Sequence, residues 1–179
     1  MDKKNFTRAL MAVVILIAVV FGVRMALQKP LEAARLQEEQ DTIAFLLPGS
    51  GEFTQIPYSG EDTSITRVYE SDLGAVVETT VDGYVDHIRL LVGVSRDGKV
   101  QGITVRTMYE TLGLGTQALQ DYQFLMQFLH TQGDAEVGQN VDAMTGATVT
   151  SRAIARGVNS AVAYVTGADV STGATSWGG

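Results

Sequence analysis

An uncharged apolar run near the start of the chain restricts what its N-terminal part can form. Residues 9–23 read ALMAVVILIAVVFGV and contain no charged side chain. Because large apolar residues occur at every angle of a helical wheel, a buried helix here would need a much larger core than 179 residues provide. Extension to Leu27, with Arg24 reaching the interface, approaches the roughly 20 residues of a membrane span. We therefore predict an uncleaved transmembrane anchor over residues 9–27.

Basic residues on both sides of the run bear on its orientation. Three precede it and three follow it before residue 36, so the Lys/Arg count is nearly balanced. The compact cluster within residues 1–8 favours a cytoplasmic N-terminus. We expect a single-pass protein of the cytoplasmic (inner) membrane, with its main domain on the periplasmic or outer side.

Composition excludes several classes of function. The net charge of −7 argues against nucleic-acid binding, which depends on Lys and Arg neutralising phosphates. The absence of cysteine excludes disulfides, thiolate nucleophiles, Cys-ligated iron–sulfur clusters and c-type haem attachment. Only two histidines are present, His87 and His130, so a metal site would have to use carboxylates. A redox role would therefore rest on an organic cofactor.

After the apolar run, the periodicity first favours helix and then strand. Pro30 is expected to mark the membrane exit, and residues 28–51 to form a connecting helix (31–47) and a linker, with an irregular stretch over 52–64. Strands are predicted over 65–70, 75–80, 87–94 and 100–105, and helices over 116–130 and 151–165. The dipeptide Asp97-Gly98 predicts a hairpin with a type I′ turn. This order predicts an α+β domain over 52–166, an antiparallel sheet with flanking helices, followed by a flexible tail over 167–179.

The segment with the most chemical content is 142–148, which reads DAMTGAT. Small residues let backbone N–H groups approach a ligand closely, and the start of a helix favours an anion. Thr148 adds a hydroxyl at this turn. From the residues alone, the segment is better explained as a helix start capped by Thr150 or Ser151, because such caps are common.

The pattern Asp-x-x-Thr-Gly-Ala-Thr resembles the flavinylation motif of the covalent FMN-binding domain family. In that family a dedicated flavin transferase uses FAD and Mg²⁺ to attach FMN to the last Thr through a phosphoester bond. The resemblance implies that Thr148 is the attachment point. It also implies that the phosphate is surrounded by Thr145, Gly146, Ala147, Val149, Thr150 and Ser151.

Residues 169–175 (DVSTGAT) fit the same pattern close to the C-terminal end. Thr175 leads only into Ser-Trp-Gly-Gly, whereas Thr148 leads into a predicted helix with an apolar stripe. We therefore expect the flavin on Thr148 and interpret the second copy as a coincidence of the tail. Modification of Thr175 stays open, because a transferase that recognises a local pattern would accept it.

A second segment, 110–115 (ETLGLG), resembles the family's Glu-Thr-Pro-Gly-Leu-Gly loop beside the flavin, with Leu112 in place of Pro. Tyr109 stands where a His is frequent in the family. Without the resemblance, this segment is a glycine-bearing connection between a strand and a helix. The resemblance implies that the flavin is contacted by Glu110, Thr111, Leu112, Gly113 and Leu114.

Within this family, the layout of the whole chain resembles the G subunits of Rnf ion-translocating electron-transport complexes. This implies an anchored subunit, not catalytic alone, that relays electrons through covalent FMN in a ferredoxin/NAD oxidoreductase complex. Its partners would be the other membrane, iron–sulfur and flavin subunits, and a flavin transferase during maturation. Three alternatives stay open: the C subunit of a sodium-pumping NADH:quinone oxidoreductase, an anchored non-redox interaction domain, and a sensory domain that binds a nucleotide reversibly.

Overall fold

The computed structural model describes residues 3–108 and 122–168. The chain divides into two compact units, Met1–Asp41 and Thr42–Gly179. The elements are, in chain order, α1 (Lys3–Leu46), β1 (Thr54–Ile56), β2 (Ile65–Glu70), β3 (Gly74–Asp82), β4 (His87–Ser95), β5 (Val100–Met108), α2 (Tyr122–Met126) and α3 (Thr148–Thr166).

The first unit is helical throughout its described residues. α1 continues through Pro30 without a break, so the predicted connecting helix over 31–47 is the C-terminal part of this one helix. The large apolar side chains from Val13 to Val23 are each more than half exposed. Over the residues that the structure describes, no helix has both the length and the apolar character needed to cross a membrane.

The second unit is built on a five-stranded sheet in the order β1-β2-β3-β4-β5. Each strand pairs antiparallel with the next one along the chain. The predicted α+β fold, an antiparallel sheet with flanking helices, is therefore confirmed. The predicted irregular stretch before β2 contains one strand, β1, which has only three residues and lies at the sheet edge.

The β4–β5 hairpin lies at the predicted place but uses another turn. A type I′ turn needs positive φ at both central residues. Gly98 has φ 80°, but His130 is the only described non-glycine residue with positive φ, so Asp97 does not qualify. The Ser95 N–H bonds the Lys99 carbonyl at 2.9 Å across a three-residue loop, and the Gly98 N–H bonds the Ser95 carbonyl at 2.8 Å. The type I′ prediction is wrong, and a common three-residue loop with a left-handed glycine takes its place.

The main core lies between α3 and one face of the sheet. The alternating inward side chains of β3 and β4, such as Val77 and Leu90, meet a stripe of α3 that includes Ile154 and Val158, and all four are fully buried. Gly157 lets α3 pack closely against the sheet, because a Cβ added at this position would lie 2.8 Å from both Leu90 Cδ1 and Thr79 Oγ1. Burial of this stripe fixes α3, and with it the segment that precedes the helix.

The opposite face of the sheet is covered by the last turn of α1 and the residue that follows it. A small apolar cluster there consists of Ile43, Leu46, Leu47, Tyr69, Val76 and Leu91. The cross-strand partners Gly93 and Gly102 lie directly beneath Leu46. A Cβ at Gly93 would overlap the Leu46 carbonyl oxygen, so the helix backbone rests against the sheet backbone.

Candidate functional site

The site predicted around Thr148 lies at the start of α3, three residues earlier than the predicted helix start at Ser151. Ala147 occupies the N-cap position and no side chain caps the helix. Gly146, with φ 77°, turns the chain into the helix. Capping by Thr150 or Ser151 is therefore wrong: both residues lie inside the helix, and 1% and 0% of their surfaces are exposed.

Burial divides the segment into an outer and an inner set of residues. Within residues 144–151, the exposed set comprises Thr145, Gly146, Thr148 and Val149. The buried set comprises Met144, Ala147, Thr150 and Ser151. Thr148 therefore belongs to the outer side of this segment. The side chains of Thr150 and Ser151, in contrast, point into the protein.

Ser151 ties the turn before α3 to the helix itself. Its hydroxyl donates to the Ala147 carbonyl at 2.9 Å and accepts from the Met144 N–H at 3.1 Å. The Ala147 N–H in turn donates to the Met144 carbonyl at 3.0 Å. Residues 144–147 are thereby held against the first turn of α3 by one buried side chain.

Gln127 holds the other end of the segment. The Asp142 N–H donates to Gln127 Oε1 at 2.7 Å, and Gln127 Nε2 donates to the Asp142 carbonyl at 3.4 Å. Gln127 directly follows α2, between the buried residues Phe124 and Phe128. Sequence reasoning missed this residue, and no local signal marks it, because its partner lies 15 residues further along the chain.

The loop before the segment is fastened by two asparagines. Asn159 of α3 accepts from the Ala135 N–H at 3.1 Å and donates to the Ala135 carbonyl at 2.9 Å. Asn140 accepts from the Glu136 N–H at 2.8 Å and donates to the Asp134 carbonyl at 2.8 Å. These four bonds fasten residues 134–140, and none of them reaches a residue of 142–148.

Two parts of the predicted site fall outside the described residues. They are the loop of Glu110, Thr111, Leu112, Gly113 and Leu114, and the second motif copy with Thr175. The predicted helix over 116–130 is described from Tyr122 onward, where α2 ends at Met126 and is followed by turns. Across the described ranges, no three His, Asp or Glu side chains come together in a way that could hold a metal ion.

The start of α3 combines a hydroxyl-bearing residue with unsatisfied backbone donors. An exposed hydroxyl stands at the start of a 19-residue helix whose first-turn N–H groups have no side-chain cap. Helix N-termini favour anions through these N–H groups and through the helix dipole. A phosphate group at Thr148 would therefore be in a favourable electrostatic environment.

Comparison with known proteins agrees with this geometry. Residues 83–163 match the family model of the FMN-binding domain, and this range contains Thr148 together with Gln127 and Ser151. The matched range begins in the β3–β4 connection and ends in α3.

Three relatives, each the G subunit of its complex, show how far the similarity extends. The relative from the proton-translocating ferredoxin:NAD(+) oxidoreductase complex of Clostridium ljungdahlii is 33% identical over 172 residues, which cover 91% of this chain and 89% of the relative. The relative from the ion-translocating oxidoreductase complex of Methanosarcina acetivorans is 28% identical, covering 92% and 96%. The relative from the Na(+)-translocating ferredoxin:NAD(+) oxidoreductase complex of Acetobacterium woodii is 35% identical over 102 residues, about half of each chain.

Proposed function

The chain belongs to the family of Rnf complex G subunits, and on this premise we propose that it is an FMN-carrying electron-transfer subunit of an ion-translocating ferredoxin/NAD oxidoreductase complex. The match to the FMN-binding domain and the relative from C. ljungdahlii, similar along nearly its whole length, support this proposal. The other subunits of such a complex would be its partners. The full-length relatives favour this function over the quinone-reductase alternative.

We further propose that FMN is bound covalently through Thr148. The observation that carries this proposal is the exposed Thr148 hydroxyl at the uncapped start of α3, inside the matched domain. Its neighbours Thr145, Gly146 and Val149 are exposed as well, whereas Met144, Ala147, Thr150 and Ser151 are buried. The residues present therefore fit the group.

The attachment reaction needs a flavin transferase, FAD and Mg²⁺. The Thr148 oxygen attacks the FMN phosphorus of FAD, the pyrophosphate bond breaks, AMP leaves, and the hydroxyl proton is released. The N–H groups of the first turn of α3 would stabilise the phosphodiester charge. A flavin held by this bond remains on the protein when its redox state changes.

Once bound, the flavin would accept electrons from one partner and pass them to another. The residues of this chain would fix the phosphate at Thr148, and Gly146 would allow the tight approach of the backbone. The described residues of the site contribute an attachment point and its support. The chain would therefore relay electrons rather than act as a catalyst alone.

We also retain residues 9–27 as a proposed membrane anchor, with the second unit on the periplasmic or outer side. Support comes from the exposure of the large apolar side chains between Val13 and Val23 on all sides of α1. Each square ångström of apolar surface left in water costs about 25 cal/mol, so these side chains favour a lipid environment. Extraction of native membranes with alkaline carbonate tests the anchor: release of the protein would contradict it.

Peptide mass mapping tests the attachment site. Trypsin separates the two candidate threonines, because no Lys or Arg lies within 107–151 or 157–179. We expect the full chain, co-expressed with an active flavin transferase, to carry one FMN phosphoester on peptide 107–152. Thr148→Val should abolish this adduct, and the matched control Thr175→Val should keep it.

Each other outcome has a defined meaning. An adduct only on peptide 157–179 would keep the flavoprotein and move the site to Thr175. No adduct on either peptide, while the transferase modifies a known acceptor in the same cells, would overturn covalent attachment.

A further inference from the structure

Two side chains hold the motif at its two ends. We propose that Gln127 and Ser151 are positioning residues for flavin attachment, which fix residues 142–147 so that the Thr148 hydroxyl is presented in one geometry. This inference rests on the proposed covalent linkage at Thr148. It adds a role for two residues that act through the backbone of the motif rather than on the transferred group.

The side-chain amide of Gln127 pairs with the backbone of Asp142. Its amide bonds both the N–H and the carbonyl of Asp142, as a paired backbone would. The residue itself is anchored, because the Gln127 N–H bonds the Phe124 carbonyl at 3.2 Å and the adjacent Phe128 is fully buried. Two exposed hydrogen bonds therefore link Asp142 to the residue that follows α2.

Ser151 holds the C-terminal end of the motif in place by hydrogen bonds to its backbone. Its hydroxyl uses both its donor and its acceptor capacity on residues 144–147, and none of its surface is exposed. Removal of this oxygen would leave the Met144 N–H without that partner in a buried place, which is costly. Between the two fastened ends, only short exposed stretches of the motif remain adjustable.

Geometry matters because attachment is a displacement at phosphorus. The Thr148 oxygen must lie close to the phosphorus and in line with the leaving group, and small misplacements of reacting groups reduce rates strongly. When either clamp is lost, the acceptor turn samples additional conformations. The rate constant of attachment should then fall, whereas a merely structural role would alter stability alone.

The same domain contains a matched control. Asn159 makes an equivalent two-point clamp on Ala135, with distances of 3.1 and 2.9 Å. Its amide lies on α3 and holds a nearby loop, and these two bonds reach no residue of 142–148. Asn159→Ala therefore removes the same kind of interaction without loosening the acceptor turn directly.

The experiment compares full-length Gln127→Ala, Ser151→Ala and Asn159→Ala with the wild type. Each protein is purified from a host without the transferase and then incubated with purified transferase, FAD and Mg²⁺. Intact mass and in-gel flavin fluorescence give the rate constant and the end-point, and thermal melting reports on the fold. We expect the two positioning variants to react at least about tenfold more slowly but to the wild-type end-point. Asn159→Ala should stay within about twofold of the wild-type rate constant even where its melting temperature falls.

The outcomes separate this inference from the proposed function. If the wild type gains FMN at Thr148 and both variants react at its rate, the positioning role is overturned while the attachment site stands. If the wild type gains no FMN, the proposed linkage fails. If Asn159→Ala is slowed as much as the others, the effect is one of general stability and the positioning role is again overturned. If Gln127→Ala does not fold, two other variants decide the question by the same rate criterion. They are Ser151→Ala and Gln127→Glu, which keeps an acceptor for the Asp142 N–H.

Discussion

The two faces of the sheet accommodate their helices through glycines on opposite partners. On the face covered by the end of α1, the glycines belong to the sheet: Gly93 and Gly102 lie beneath Leu46. On the face covered by α3, the glycine belongs to the helix, and Gly157 lies above the side chains of Leu90 and Thr79. The first contact brings backbone against backbone, and the second brings backbone against side chains.

This difference determines how each face tolerates change. Side chains can rotate or shift by a few tenths of an ångström, whereas two backbones held by hydrogen bonds cannot separate without moving a whole element. We therefore expect an added methyl group to reduce stability more on the face covered by α1 than on the face covered by α3, although the α3 core is the larger one.

Gly93→Ala gives the largest expected effect. The new methyl group would overlap the Leu46 carbonyl, and we expect a loss of about 3 kcal/mol in the free energy of unfolding, near the upper end for overpacked sites. Urea denaturation measures this loss. Gly51→Ala is the control, because its methyl would meet only Asp72 Oδ1, at 3.7 Å. A loss below about 1 kcal/mol for Gly93→Ala would remove the contrast between the faces.

Gly157→Ala should be milder. The added methyl would come within 2.8 Å of Leu90 Cδ1 and Thr79 Oγ1, and both side chains are fully buried. Alanine also favours the helix by about 1 kcal/mol, which offsets part of the crowding. We expect a net loss of about 1 kcal/mol in the same measurement. A loss as large as that of Gly93→Ala would show that the α3 face is equally rigid.

Tyr164→Phe has the smallest expected effect and probes the border of the α3 face. The Tyr164 hydroxyl donates to Glu70 Oε1 at 2.7 Å, and the ring meets Tyr58 edge to face at 5.8 Å. Because the hydrogen bond is exposed, we expect the variant to lose only about 0.5 kcal/mol at neutral pH.

The pH dependence of this contribution follows from the tyrosine. Burial, and then the hydrogen bond to Glu70, raise the pKa of Tyr164 from 10.0 to about 12. The stabilisation is therefore complete below pH 10 and is lost as the pH rises from 10 towards 12. The stability of the wild type relative to Tyr164→Phe should fall over that range, and a relative stability that is unchanged at pH 12 would contradict the assignment.

Much of the sheet could be predicted because its pattern is local. The β-branched runs of β2 and β4 start at the predicted residues, since alternation along a strand is visible without knowledge of the partner strand. The three residues of β1 are too few to give such a pattern. The dipeptide Asp97-Gly98 predicts the place of the turn correctly. It does not predict the turn type, because the same dipeptide also suits a three-residue loop.

The start of α3 shows why the site was harder to predict. Thr150 and Ser151 have the side chains of N-caps, so the helix was expected to begin beside them. The Ser151 hydroxyl instead bonds back to the Ala147 carbonyl, as serines inside helices do. The amide clamps of Gln127 and Asn159 join segments 15 and 24 residues apart, and such pairings leave no mark on the local sequence.

The last turn of α1 has a practical consequence for making a smaller protein. Ile43, Leu46 and Leu47 belong to the second unit, which begins at Thr42, and they cover Val76 and Leu91 of the sheet. A fragment that starts at residue 42 keeps this cover and omits the exposed apolar stretch of α1. A fragment that starts at residue 52, the predicted domain boundary, leaves Val76 and Leu91 open to water beside two glycines. The shorter fragment would thus expose a new apolar surface. Its aggregation would then reflect the choice of boundary rather than any property of the flavin site.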